Sequence, residues 1–191
     1  MSQVSFQIIG AGPFRFHLIK VPTSYHIPSK HFSLYNIKMS HEEYFKAAGK
    51  QAEKSLCPRD KCGAILVLND EIIGVGFSGA AKDTEHRSVE ENLINSKKPK
   101  SDRTCCIHAE WRAIIDGIKN RKDITGSVLY FTRVDLSGNV LKSGDPYCTV
   151  CSRLALDNGV KYFALWQESG IKLFNTKEYN DLSYSFHVAG L

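Results

Sequence analysis

SVLYFT at residues 127–132 and TVCSRLALDNGVKYFALW at residues 149–166 decide the fold class. The first is short, apolar and rich in β-formers, so it reads as a strand. TVCSRLALDNG reads as a helix stopped at Asn158-Gly159, because glycine accepts the left-handed conformation that ends helices. VKYFALW at 160–166 reads as the next strand, and GIKLFN at 170–175 as another.

The same alternation extends upstream. HAEWRAIIDGIKN at 108–120 is an amphipathic helix start. GAILVLN at 63–69 and EIIGVGFSG at 71–79 are apolar strands, and Asp70 in the tight connection predicts a hairpin. HEEYFKAAGKQAEKSL at 41–56 is expected to be helical. Ser40 can cap it, and Glu43 has the capping-box spacing. Tyr44, Ala47, Ala48, Ala52 and Leu56 recur at helical intervals, and Cys57-Pro58 is the expected stop. Helices alternating with strands imply an α/β layered sandwich.

The chain has 191 residues, 42% hydrophobic and 24% charged, which excludes a disordered tail or a collagen-like rod. One domain is expected over 41–191, preceded by an extension at 1–40. In the extension, VSFQII and FRFHLIK suggest a hairpin around Gly10, Gly12 and Pro13. A short helix near 88–95 is expected within the polar, basic span 80–104. No run approaches the ~20 apolar residues of a membrane span. The first residues lack the basic region of a signal peptide, so a cytoplasmic location is expected, with no membrane partner. In that setting the six cysteines read as thiols and metal ligands rather than a disulfide scaffold. The net charge of +5 mildly favours anionic partners such as phosphates and does not by itself indicate nucleic-acid binding.

One constellation stands above the rest: His108-Ala109-Glu110, then Pro146-Tyr147-Cys148-Thr149-Val150-Cys151. An imidazole and two thiolates form a catalytic zinc set that leaves a fourth position for water. The two cysteines, three apart at a helix start, can both reach one ion, and the helix dipole there favours thiolate. Glu110 is placed to sit beside the ion without being a ligand, where a carboxylate can carry protons. Together these residues carry the signature H-x-E…P-C-x-x-C of zinc deaminases.

On these residues the chain resembles the zinc-dependent cytidine deaminase superfamily, and most of all its deoxycytidylate deaminase branch. The stretches 41–79, 108–114, 129–132 and 148–165 carry the resemblance, which covers roughly residues 41–175. It implies a three-layer α/β/α sandwich on a five-stranded mixed sheet, bound Zn2+, and hydrolytic deamination of a small nucleobase, nucleoside or nucleotide. It also implies a homo-oligomer. The Ala109 amide is similar to the family contact to the ring carbonyl. The chain departs from the branch in four places, one of them a loop at 133–146 that is longer than the typical short one. Tyr147 intervenes between Pro146 and the first zinc cysteine. Ser78 stands where the branch has a sugar-contacting Asn. Arg112 stands where the branch also has Asn, and is a candidate for phosphate or for the solvated helix face. Phe77, Phe131 and Tyr147 are candidates to stack on a base, and Trp111 is equally a core residue.

Several features stay open at this level. Cys57, Cys62, Cys105 and Cys106, with His41 or His86, are candidates for a second, structural zinc; the alternative is that they are small buried hydrophobes. Arg59 and Lys61 are candidates for phosphate contact. Tyr179, Tyr184, Phe186 and His187 make an aromatic C-terminus suited to cover the pocket or an oligomer contact. The reading that follows is deamination of a cytosine nucleotide or nucleoside, deoxycytidylate favoured, by attack of metal-activated water on the amine-bearing carbon with Glu110 shuttling the proton. The alternatives are the same chemistry on guanine or on adenosine in tRNA, and a non-enzymatic zinc-stabilised interaction domain.

Overall fold

A computed structural model describes residues 39–57, 61–82, 106–120 and 123–186. The hairpin expected within 1–40 and the helix expected near 88–95 lie outside them. Chain order runs through α1 (His41–Ala52), β1 (Lys61–Leu68), β2 (Glu71–Phe77), β3 (Gly79–Ala80) and β4 (Cys106–Ile107). It continues through α2 (Ala109–Asn120), β5 (Val128–Val134), β6 (Val140–Leu141), α3 (Thr149–Asp157), β7 (Tyr162–Gln167), β8 (Gly170–Asn175) and α4 (Thr176–Tyr184).

The sheet order is β2-β1-β5-β7-β8, with β6 added to the end of β5. Asn69 and Asp70 both take positive φ, 52° and 63°, as a two-residue hairpin turn requires, so β1 and β2 pair antiparallel. β5 pairs antiparallel with β1 and parallel with β7, because α3 carries the chain across between them. β8 returns antiparallel on β7. The result is the expected mixed sheet between two helical layers.

Both faces of the central strands are covered, which is why GAILVL is a continuous apolar run rather than an alternating one. Along β1, Ile65 and Val67 point with Tyr130 and Ala164 toward Tyr44, Phe45 and Ala48 of α1. Ala64 and Leu66 point with Leu129, Phe163 and Leu165 toward Ala109, Ala113 and Ile114 of α2 and Ala155 of α3. Each fully buried side chain of this size contributes about 1.5–3 kcal/mol.

The start of α1 follows the sequence reading closely. Ser40 Oγ accepts from the Glu43 N–H at 3.3 Å, and Glu43 Oε2 accepts from the Ser40 N–H at 2.7 Å. Ser40→Ala is expected to cost about 1 kcal/mol, read as a lower urea midpoint at unchanged slope. The end of α1 differs. The helix stops at Ala52 rather than running to Leu56, and a turn over Glu53 and Lys54 follows. Ser55 explains the early stop: its buried Oγ lies 3.0 Å from Ser78 Oγ and accepts from the Cys57 N–H at 3.2 Å. That hydroxyl draws the chain inward and leaves Leu56 89% exposed.

Two further differences concern short or polar elements. β3 and β4, two residues each, pair with one another just ahead of α2, and the sequence reading assigned neither; Cys106 lies in β4. Of the aromatic C-terminus, Tyr179 and Tyr184 lie in α4, a helix that the sequence reading did not assign; Phe186 follows it, and His187 lies outside the described residues. Among the described residues, no helix is long and apolar enough to cross a membrane.

Candidate metal centre

Two helices begin at the site. His108 immediately precedes α2, and Cys148 is the N-cap of α3, accepting from the Cys151 N–H at 3.4 Å. The His108 Nδ1 atom lies 3.2 Å from Cys151 Sγ and 3.5 Å from Cys148 Sγ. The three ligand atoms all fall within 4.8 Å of one another, and Cys151 is fully buried. One nitrogen and two sulfurs converging on a point form a donor set that suits zinc, so the residues fit the metal that the sequence implies.

Hydrogen bonds from Cys151 and His108 hold the Cys148 thiol down to about 4. The bond to Cys148 in turn raises His108 above the ordinary imidazole range. Burial pushes the Cys151 thiol up. A lowered thiol at a helix N-terminus is the ligand-ready form.

Glu110 is the second residue of α2, in its first turn, and is 5% exposed. Burial, followed by the charge of Cys148, raises it above the usual carboxylate range. It stands beside the ligands as a buried acid, which is where the H-x-E spacing is expected to put it.

Close packing of α2 on β2 fixes these positions. A Cβ built on Gly76 would come within 2.1 Å of the Ala109 carbonyl oxygen and 2.5 Å of the Ala113 nitrogen. One built on Gly74 would come within 2.2 Å of the Ala113 carbonyl oxygen. The alternate glycines of EIIGVGF thus let the helix lie directly on the strand backbone.

The other candidates take varied places. Ala109 is buried as the first residue of α2. Ser78 is buried, and its Oγ accepts from the Cys62 N–H at 3.1 Å as well as meeting Ser55. Arg112 departs from both expectations, solvated face and phosphate. Its guanidinium donates to the carbonyls of Phe77 at 3.0 Å, Gly79 at 3.3 Å and Ala80 at 2.5 Å, and lies over the Phe77 ring. Phe131 is half-buried against the α2 side of the sheet. Tyr147 is 60% exposed, with its ring edge-on to Phe186 at 4.9 Å. Trp111 is half-buried, 6.1 Å from the His108 ring. No second ligand cluster forms among the described residues; Cys57, Cys62 and Cys106 are there as half-buried thiols. Cys105, His86 and Arg59 lie outside the described residues. Lys61 opens β1.

Comparison with known proteins decides the family. The model of the cytidine and deoxycytidylate deaminase zinc-binding region matches residues 38–164. The chain belongs to this family. The deoxycytidylate deaminase of Mycobacterium phage D29 is 29% identical over 136 residues, covering 67% of this chain and 95% of the relative. A crystal structure of dCMP deaminase from the cyanophage S-TIM5, in complex with dCMP and dUMP, is 27% identical with a TM-score of 0.47. It covers 65% of this chain and 81% of its own. The fold is also that of cytidine deaminase from Burkholderia pseudomallei, at 16% identity and a TM-score of 0.51, covering 74% of this chain and 96% of that one.

The sequence reading of this family site missed two things. The fork of Arg112 onto three carbonyls had no sequence signal. The buried Tyr179 of α4 had one: Asn175 followed three positions later by Glu178 is a helix-start spacing, and Asn175 does accept from the Lys177 N–H at 3.0 Å.

Proposed function

We propose that this chain hydrolytically deaminates a cytosine nucleotide or nucleoside, with deoxycytidylate favoured. The observation that carries the reading is the buried carboxyl of Glu110 beside the converging His108, Cys148 and Cys151. The family match and the 29% identity to a phage deoxycytidylate deaminase support the choice of base.

His108, Cys148 and Cys151 are the zinc ligands in this proposal. A zinc ion held there supplies a Lewis acid that brings the pKa of a water toward about 7. Glu110 takes the proton of that water and gives it to the ring nitrogen, then carries a further proton to the departing amine. The overall change replaces C–NH2 by C=O, with one water consumed and one ammonia released. The Ala109 amide, in the first turn of α2 where the N–H groups have no partner within the helix, donates to the ring carbonyl. Phe77, Ser78, Phe131 and Tyr147 shape the walls around the base and sugar. Arg112 enters as the strut of the Phe77–Ala80 wall, since its donors are already engaged there.

Ammonia release is measured from the zinc-loaded protein against cytidine, deoxycytidine, deoxycytidylate, cytosine, guanine, adenosine and tRNA. Deoxycytidylate is expected to give the highest kcat/KM. Fastest turnover of guanine or of tRNA would replace the cytosine reading with the purine one. Stripping the metal with a chelator is expected to abolish turnover, and equimolar zinc to restore it. Full activity of the metal-free protein would overturn the role given to the ligands.

A further inference from the structure

Tyr147 stands between Pro146 and Cys148, where the deaminase signature has proline directly before the first cysteine. It precedes the N-cap of α3 and is 60% exposed. An exposed ring outside helix and strand has several rotamers open to it. Here a neighbour restrains it: the Phe186 ring meets it with centroids 4.9 Å apart and planes 85° apart. That is the edge-to-face arrangement that aromatic pairs prefer.

Phe186 is itself placed by contacts further back. It follows α4 by two residues, and the Ser185 N–H donates to the Leu182 carbonyl at 3.0 Å, so the chain leaves the helix through a hydrogen-bonded turn. α4 in turn is seated on α3 and β7. Ser152, fully buried beside Cys151, donates to Asn180 Oδ1 at 2.9 Å, and its hydroxyl lies 3.4 Å from Ser183 Oγ. The Tyr179 ring stacks on Phe163 with centroids 4.2 Å apart. α4 and Phe186 lie beyond the 38–164 stretch that the family model matches. The residue inserted in the signature thus meets an element that follows the family region.

We propose that Phe186 is a positioning residue for substrate, holding the Tyr147 ring edge-on beside the metal centre so that it meets the cytosine ring in one orientation. This rests on the deamination reading and on the place it gives Tyr147 in the pocket wall. Phe186 acts through Tyr147. Most of Tyr147 stays exposed beside Phe186, which leaves ring surface for a planar base to lie against. Loss of a pair of this geometry corresponds to about a two- to tenfold change in an equilibrium.

The test uses the full-length chain loaded with zinc. Steady-state kinetics on deoxycytidylate separate KM from kcat. Binding of deoxycytidylate is measured by calorimetry in the Glu110→Gln background, where the ligand is not consumed. Phe186→Ala is expected to raise KM and Kd about two- to tenfold, with kcat and zinc affinity close to native. Phe186→Tyr keeps the ring and is expected to restore both. Leu182→Ala, at a position of α4 that is 42% exposed, is expected to match the native chain. Tyr147→Ala is expected to raise KM and Kd at least as much as Phe186→Ala. Adding Phe186→Ala to Tyr147→Ala is then expected to change little, because the two act as a unit. Native KM and Kd in Phe186→Ala, or full additivity in the double variant, would overturn the positioning role and leave the deamination reading standing. If Phe186→Ala does not fold, Phe186→Leu, which keeps apolar bulk without the ring, decides by the same measures. A native chain that neither binds nor deaminates deoxycytidylate would instead overturn the choice of substrate, and the positioning role with it.

Discussion

Glu110→Gln is expected to lower kcat by about 10³–10⁴-fold while the protein still binds one zinc. The amide keeps the size and the hydrogen-bonding reach of the carboxyl, so the packing of α2 should survive. What it loses is the exchangeable proton. Burial makes the case sharp, because the group has no bulk water to substitute for it. Zinc content by metal analysis and turnover by ammonia release are measured on the same preparation. A variant with most of its activity would remove Glu110 from the proton path. A variant without zinc would show that the residue holds the centre together rather than serving it.

Gly76→Ala is expected to be the most damaging substitution away from the ligands, at about 3 kcal/mol or more. The new methyl would meet the Ala109 carbonyl and the Ala113 nitrogen, which are backbone atoms with no rotamer to yield. Relief requires α2 to lift from β2. Such a lift would displace His108 and Glu110 together, so activity should fall even where the protein remains folded. Denaturant melts and kinetics below the melting range separate the two effects. A Gly76→Ala protein with native stability would mean that α2 does not lie on the strand as closely as described. The alternate glycine Gly74 makes the same prediction one turn further along.

The ligand set, Glu110 and the alternation of elements were legible because each rests on local spacing. Residues two or three apart on a helix start are neighbours whatever the tertiary fold does. Turn chemistry worked for a similar reason: the Asn69-Asp70 turn and Gly159 at φ 74° mark conformations that few residues accept. The misses share the opposite cause. Arg112 looks like any exposed helix cation until β2 and β3 bring three carbonyls within its reach. Leu56 continues a helical period, yet a buried hydroxyl at Ser55 outweighs it. Tyr179 belongs to a polar helix, and its burial depends on the stacked ring of Phe163 in β7. Contacts of that range carry no periodic trace in the chain.

The division of the ligands between α2 and α3 also sets an order of assembly. The β1–β2 hairpin and its covering helices are local and can form early, but His108 and Cys148 meet only when β5 lies between β1 and β7. Closing that pairing joins Ile65 to Tyr130, a long loop whose entropy cost precedes its reward. Metal capture by all three ligands therefore belongs to the last stage of folding, and metal affinity reports on completion of the whole sheet. A nascent or truncated chain lacking β7 would hold two of its sheet partners in place and still have no three-point grip on zinc.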